Sequence, residues 1–353
     1  MSHLTEFLDK TIVHPTQSWV EHHRDDAMTY SCRMFTDLPV AQLFEFKSDV
    51  VAPPDFDEFW AGSIEESRGA GSPVSMERVD TPLRTIDVFD VTFSGFGGQP
   101  IRAWLKLPRG AGGPLPLVIE YTGANGGRGH AIENLLFASS GYAHFHMDNR
   151  GQGSGWSIGS TADEGVTGPH IPGTLTRGIQ SRESYYYRRL ITDAVLAVEV
   201  ASGLDGVDSN AIGLNGVSQG GGLALAVSGL VEGISAVVAR VPFLCDIARA
   251  STICDLEPYR ELADYLATRR DEIPRVYDLL AYFDAVNFSK RATATAHFSV
   301  ALMDPVCPPS TVFAAFNAYA AGKTIDVWPY NAHEGGQSFD DYAALRVFDS
   351  ILR

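Results

Sequence analysis

Residues 212–230 read IGLNGVSQGGGLALAVSGL. An apolar run, AIGLNGV (211–217), stops at Ser218, and an alanine- and leucine-rich run with helical character follows. Between them Gly216, Ser218 and Gly220 match G-x-S-x-G, which in a strand–turn–helix setting describes a tight elbow that lifts a serine hydroxyl above the end of a strand. Glycine at 216 and 220 removes side chains where the turn forces backbones together, and Gly221 and Gly222 let the helix pack closely on the sheet. The Gln219 amide, at the helix N-terminus, is placed to face an anion beside Ser218. A phosphate-binding loop would require the lysine of G-K-[S/T], which is missing here. A glycine-rich turn carrying a surface serine is the other reading of this pentapeptide alone.

Outward from the elbow the chain alternates between two textures. Short β-rich runs recur: TIDVFDVTF (85–93), IRAWLKL (101–107), LPLVIEY (115–121), YAHFHMD (142–148), SAVVARV (235–241), HFSVALMD (297–304) and TIDVWPY (324–330). Helical stretches lie between many of them. Residues 183–203 read as a long amphipathic helix closed by Gly203, and 338–353 as a second amphipathic helix. In 308–322, Ser310 or Thr311 is the expected cap and Gly322 the expected stop. Strands alternating with helices imply an α/β architecture, a mostly parallel sheet covered on both faces, with an antiparallel start from the first two runs. Residues 1–36 form an expected N-terminal extension, and 37–353 a single domain. Residues 155–183 are rich in Gly, Ser and Thr and read as a long loop. Residues 245–290 read as a helical excursion between two strands, placed to cap the site.

A serine nucleophile needs a base, and the base needs an orienting carboxylate. Around such an elbow the partners follow in the order serine, acid, histidine, each on a loop after a strand. After Ser218 only His297 and His333 remain. His297 opens a strand, at the end away from the site, whereas His333 follows one, at the end where parallel sheets bind ligands. Asp304 closes the preceding strand. Asp326 is the weaker acid candidate because it lies within its strand. The loop TGANGGRG (122–129) supplies the second oxyanion donor, Ala124 or Asn125. Asp148 and Arg150, ending another strand, read as a structural ion pair in a tight turn.

Composition bounds the remaining classes. The 353 residues are 45% hydrophobic and 20% charged, enough apolar content for a sizeable core. A formal net charge of −16 repels nucleic acid and anionic membrane surfaces, so neither is an expected partner. No stretch offers about 18 consecutive apolar residues, and the N-terminus lacks the basic-then-apolar pattern of a signal peptide. The expected location is therefore cytoplasmic. Cys32, Cys245, Cys254 and Cys307 have no C-x-x-C spacing. They are expected as reduced, mostly buried thiols, with a Cys245–Cys254 disulfide as the minor alternative.

With these residues in hand, the chain resembles the acetyl xylan esterase / cephalosporin C deacetylase family of α/β-hydrolases. The resemblance runs from about Leu38 to the C-terminus, through PPDFDEFW (53–60), MDNRGQGSGW (147–156), YYYRRLITDAVLAVE (185–199), GVSQGGGLALAVS (216–228), MDPVCPPSTVFAAFNAY (303–319) and YNAHEGGQSF (330–339). It implies an α/β-hydrolase fold and a serine esterase acting on O-acetyl or other short-chain esters of sugars or small molecules. Ser218 would be the nucleophile, Asp304 the acid and His333 the base. The backbone amides of Gln219 and Ala124 would be the oxyanion donors, and Pro242 would line the acyl pocket. It implies no cofactor, no metal, and a homo-oligomer, often a hexamer. Two positions depart from the family pattern: Ala124 stands where a tyrosine is usual, and Thr174 replaces a usual aromatic. A wider acyl pocket is expected, unless another aromatic fills the space. The alternatives are a carboxylesterase or acyltransferase of different range, a peptidase, and a non-catalytic binding protein on the same fold.

Overall fold

The computed structural model describes residues 37–164 and 173–353; the expected extension over 1–36, Cys32 and part of the long loop lie outside the described residues. Nine strands form one sheet: β1 (Ser75–Val79), β2 (Ile86–Ser94), β3 (Pro100–Pro108), β4 (Leu115–Tyr121), β5 (Ala143–Met147), β6 (Val207–Val217), β7 (Ala236–Arg240), β8 (Thr295–Ala301) and β9 (Lys323–Trp328). Their spatial order is β1-β2-β3-β5-β4-β6-β7-β8-β9. Pairing is antiparallel from β1 to β5 and parallel from there to β9. Strand β1 has no counterpart among the expected runs. Its sequence, SMERV, is polar and largely exposed, so an edge strand carries no alternation to read.

The helices are α1 (Val40–Glu45), α2 (Phe56–Gly69), α3 (Leu136–Ser139), α4 (Tyr186–Ser202), α5 (Gln219–Leu230), α6 (Ile247–Ile253), α7 (Tyr259–Thr268), α8 (Ile273–Leu280), α9 (Ala285–Ser289), α10 (Pro309–Ala318) and α11 (Ser338–Leu352). Strand alternation assigns the faces. Leu117, Ile119 and Tyr121 of β4 join the core with residues of α4, α5 and α10. Val118 on the opposite face packs with Phe137 and with Phe348 and Leu352 of α11.

Two helices differ from their sequence expectation. Helix α4 is buried on nearly every side rather than amphipathic, because α2 lies over its outer side, with Arg188 donating to Ser63 Oγ at 2.9 Å. Helix α10 is not capped by Ser310 or Thr311, which lie inside it, and it ends at Ala318 rather than Gly322. Asp37 accepts the Ser310 N–H at 2.6 Å, so a carboxylate distant in sequence serves the helix N-terminus. The excursion after β7 holds α6 to α9. It touches the loop after β8 through Cys254 Sγ, 2.9 Å from Pro305 O, and α9 packs on α5 where Gly229 meets Phe288.

Behind β4 and β5 lies a polar cluster. His144 Nε2 is 2.8 Å from Glu120 Oε2, and His146 Nε2 is 2.9 Å from Thr122 Oγ1. Burial, which penalises the charged imidazole, lowers His144 and pushes His146 down to about 3. The unfolded chain takes up protons on these histidines below about pH 6.5, and the folded one takes them up less readily, His146 least. Stability present above that pH therefore falls as the pH drops towards 3. Between pH 6.5 and 5 the His146 contribution alone falls by about 2 kcal/mol. Urea denaturation at pH 7, 6 and 5 reads this, and His146→Gln should flatten the slope; an unchanged slope would contradict the assignment.

Candidate active site

Strand β6 ends at Val217, and α5 begins at Gln219. Ser218, alone between them, has φ 56° and ψ −120°, a strained backbone for a residue with a side chain. Hydrogen bonds hold it there: its N–H donates to Arg240 O at 2.9 Å, and its carbonyl accepts from Phe243 N at 2.9 Å and Gly222 N at 3.0 Å. The glycines are steric requirements. A Cβ on Gly216 would overlap the main chain of Gly220, and one on Gly220 would overlap the carbonyl of Tyr121.

Two loops bring partners to this serine. After β9, His333 places Nε2 3.0 Å from Ser218 Oγ and Nδ1 2.9 Å from Asp304 Oδ2. Asp304, after β8, is fully buried, and its Oδ1 accepts the N–H groups of Val306 (2.8 Å) and Cys307 (2.9 Å). A carboxylate only accepts, so the proton sits on Nδ1 and Nε2 is free to accept from the serine hydroxyl. His297 lies elsewhere, 2.9 Å from Thr324 Oγ1 and 3.4 Å from Asp326; the two weaker candidates face each other across β8 and β9.

The loop after β4 borders the same point, since a Cβ on Gly123 would lie 3.9 Å from Ser218 Cβ. Ala124 and Asn125 are now separable as donors. The Asn125 N–H is bound to Gln152 Oε1 at 2.6 Å, whereas among the described residues no acceptor takes the N–H of Ala124 or Gln219. Two main-chain donors are thus open on loops adjoining the hydroxyl. Gln152 links their supports: its Nε2 donates to Gln219 Oε1 at 3.0 Å and Tyr186 OH at 2.7 Å. Among the described residues one group has metal-ligand spacing, Asp304, Cys307 and His333, with ligand atoms within 4.8 Å of one another. Its imidazole and carboxylate already bind each other, and burial pushes the Cys307 thiol well above its ordinary value.

The sequence model of the acetyl xylan esterase (AXE1) family matches residues 33–349. The chain belongs to the acetyl xylan esterase family. Two solved acetyl xylan esterases are similar to it over most of its length. That of Paenibacillus sp. R4 is 34% identical with a TM-score of 0.85, covering 89% of this chain and 100% of its own. That of Thermoanaerobacterium sp. JW/SL YS485 is 31% identical with a TM-score of 0.82, covering 89% and 99%. The acetyl esterase Axe7A of Xylanibacter ruminicola is 28% identical over 290 residues, 80% of this chain. The chain spans 63% of that curated relative's length. Acylaminoacyl peptidase from Pyrococcus horikoshii, 14% identical over 76% of this chain and 42% of its own with a TM-score of 0.56, shares the α/β-hydrolase fold.

Within this acetyl xylan esterase family framework, the remaining site residues take definite places. Pro242 lies against the elbow, 3.1 Å from where a Cβ on Gly221 would be. Asn125 is exposed and has φ 63°. Thr174 is buried, its hydroxyl 3.4 Å from Tyr187 OH, which donates to Gln219 Oε1 at 3.0 Å. It therefore reaches the site through Tyr187. The aromatic beside Ala124 comes from the loop after β5 and not from the helical excursion: Trp156 Nε1 donates to Ala124 O at 2.8 Å.

The Asp148–Arg150 ion pair is not formed. Asp148 accepts the N–H groups of Arg128 (2.9 Å) and Ser160 (2.6 Å) and the Thr161 hydroxyl (2.9 Å). Arg150 instead pairs with Asp193 of α4. Sequence reasoning missed Gln152 and Trp156, although both lie in the quoted stretch MDNRGQGSGW. Cys245, Cys254 and Cys307 are free and buried, so no Cys245–Cys254 disulfide is present. No helix of the described residues is long and apolar enough to cross a membrane.

Proposed function

We propose that the protein is a serine esterase that removes O-acetyl groups from sugars through an acyl-enzyme. The unbroken hydrogen-bonded line from Asp304 through His333 to Ser218 carries this reading. His333 Nε2 takes the hydroxyl proton as Ser218 Oγ attacks the ester carbonyl. The Ala124 and Gln219 amides receive the developing oxyanion, which α5 also stabilises through its N-terminal dipole. The imidazolium then protonates the departing sugar oxygen. Water, activated by His333 in turn, attacks the acyl-enzyme and releases acetate. The names of the acetyl xylan esterases support acetylated sugars as the substrate class, and that of the acetyl esterase Axe7A supports the acetyl group.

Labelling with a fluorophosphonate tests the mechanism: the adduct should map to Ser218 at neutral pH, and an unlabelled serine would favour a non-catalytic binding protein. Acyl range is a separate expectation. Ala124 presents a methyl group where the family pattern has a tyrosine, and the ring beside it, Trp156, is bound to the Ala124 carbonyl and largely exposed, which leaves the acyl side open, so the acyl pocket should admit more than acetate. We expect 4-nitrophenyl butyrate to be turned over within about tenfold of the acetate in kcat/KM, because the added methylenes gain apolar contact rather than clash. A profile restricted to acetate would overturn the wide-pocket reading.

A further inference from the structure

We propose that the indole of Trp156 is the platform on which the alcohol part of the substrate, a pyranose ring, stacks while its acetyl group is held at Ser218. The inference rests on the acetyl-sugar reading above and assigns the recognition of the sugar to one residue.

The ring is beside the reacting atoms. The Cβ position of Gly123 that lies 3.9 Å from Ser218 Cβ lies 3.4 Å from the Trp156 ring edge. A side chain on Gly126 would overlap the same ring, so the glycine at 126 clears the space it occupies. The ring is also held in place. Its N–H is bound to Ala124 O, and its loop is tied to the neighbouring one by Gly155 N–H to Asn125 O at 2.9 Å and Gly127 N–H to Ser157 O at 3.1 Å.

Despite this anchoring, 66% of Trp156 is exposed. Its only polar atom is satisfied internally, so what meets solvent is a fixed apolar π-surface at the mouth of the site. Such a surface suits a pyranose, whose C–H face packs on an aromatic ring while its hydroxyls stay hydrated. A short acyl chain would instead favour an enclosed pocket.

Sheet order separates the two ends of the substrate. Trp156 follows β5, Gly123 follows β4, Ser218 follows β6 and Pro242 follows β7. The serine lies between the exposed tryptophan on one flank and Pro242 on the other. The acyl group is accommodated on the Pro242 flank, and the sugar over Trp156.

The bond to Ala124 O gives Trp156 a positioning role too, so the test must separate the two. Steady-state kinetics with acetylated xylobiose and with ethyl acetate are compared for the wild type, Trp156→Phe and Trp156→Leu, with circular dichroism and thermal midpoints as folding controls. Phenylalanine keeps a stacking ring and loses the N–H; leucine loses both. The expected result is a KM for acetylated xylobiose raised about tenfold in Trp156→Leu and less than about threefold in Trp156→Phe. The KM for ethyl acetate should stay near the wild-type value in both. Any fall in kcat from loosening Ala124 should be the same for the two substrates. An equal loss on both substrates in Trp156→Leu, with KM ratios unchanged, overturns the platform and leaves only the contact with Ala124. A changed butyrate-to-acetate preference with unchanged alcohol preference overturns it in favour of an acyl wall. A wild type that hydrolyses ethyl acetate and no acetylated sugar overturns the acetyl-sugar reading itself, an outcome distinct from the other two.

Discussion

Ser218→Ala is expected to lower kcat/KM for 4-nitrophenyl acetate by about 10⁴- to 10⁶-fold, while leaving the urea unfolding midpoint close to that of the wild type. The hydroxyl's hydrogen bond is to His333 Nε2, and the elbow itself is held by main-chain bonds that alanine retains. The companion variant Asp304→Asn tests the orientation of the base. The two main-chain donors described at this residue fall on Oδ1, so an amide will turn its oxygen to them and its NH₂ towards His333 Nδ1. That nitrogen must then accept, the ring proton moves to Nε2, and the serine loses its base. A loss of about 10⁴-fold follows, with little change in KM. Activity within tenfold of the wild type in Ser218→Ala would remove the serine mechanism. Full activity in Asp304→Asn would remove the orienting role of the carboxylate.

The elbow and its two partners are readable in the sequence because each depends on local chemistry at a strand end. Glycine at 216 and 220 is required by backbone overlap, and the chain order of acid and histidine follows from the order of strands in the sheet. The oxyanion side is harder to read. Choosing Ala124 over Asn125 depends on Gln152, 27 positions from Asn125, accepting one amide and leaving the other open. Nothing in the glycine spacing announces that contact. Trp156 is equally silent, since an exposed aromatic in a glycine-rich loop has no periodicity, and its place shows only in the bond to Ala124 O and the overlap a side chain on Gly126 would make. Charge proximity in sequence misleads as well. Asp148 and Arg150 are two residues apart, yet the buried main-chain and hydroxyl donors of the adjoining loops take the aspartate, because an unsatisfied N–H in the interior is costly. The arginine's partner lies on α4, whose amphipathic appearance conceals that α2 covers its second side.

That partner gives the largest expected effect on stability. Arg150 and Asp193 are both fully buried. The guanidinium forks onto the carboxylate through Nε to Oδ2 at 2.5 Å and Nη2 to Oδ1 at 2.7 Å, and Asp193 Oδ1 also accepts the Phe96 N–H at 2.8 Å. Asp193→Ala removes the carboxylate and leaves the guanidinium with Gln99 Oε1 at 2.7 Å and Asp163 at 3.4 Å. A buried charge deprived of its partner typically costs about 3–5 kcal/mol, and the Phe96 N–H is orphaned as well. Equilibrium urea denaturation should therefore show a loss of about that size for Asp193→Ala. The double variant Arg150→Met, Asp193→Leu should regain most of it, since removing both charges removes the uncompensated one. Activity is expected to fall with the single variant, because the Arg150 carbonyl accepts the Tyr186 hydroxyl at 2.7 Å and Tyr186 in turn receives Gln152, which supports Asn125 and Gln219. A single-variant loss below about 1 kcal/mol, the range of an exposed ion pair, would show that the pair does not tie the loop after β5 to α4. The scaffold of the oxyanion side would then rest on the main-chain bonds of the two loops alone.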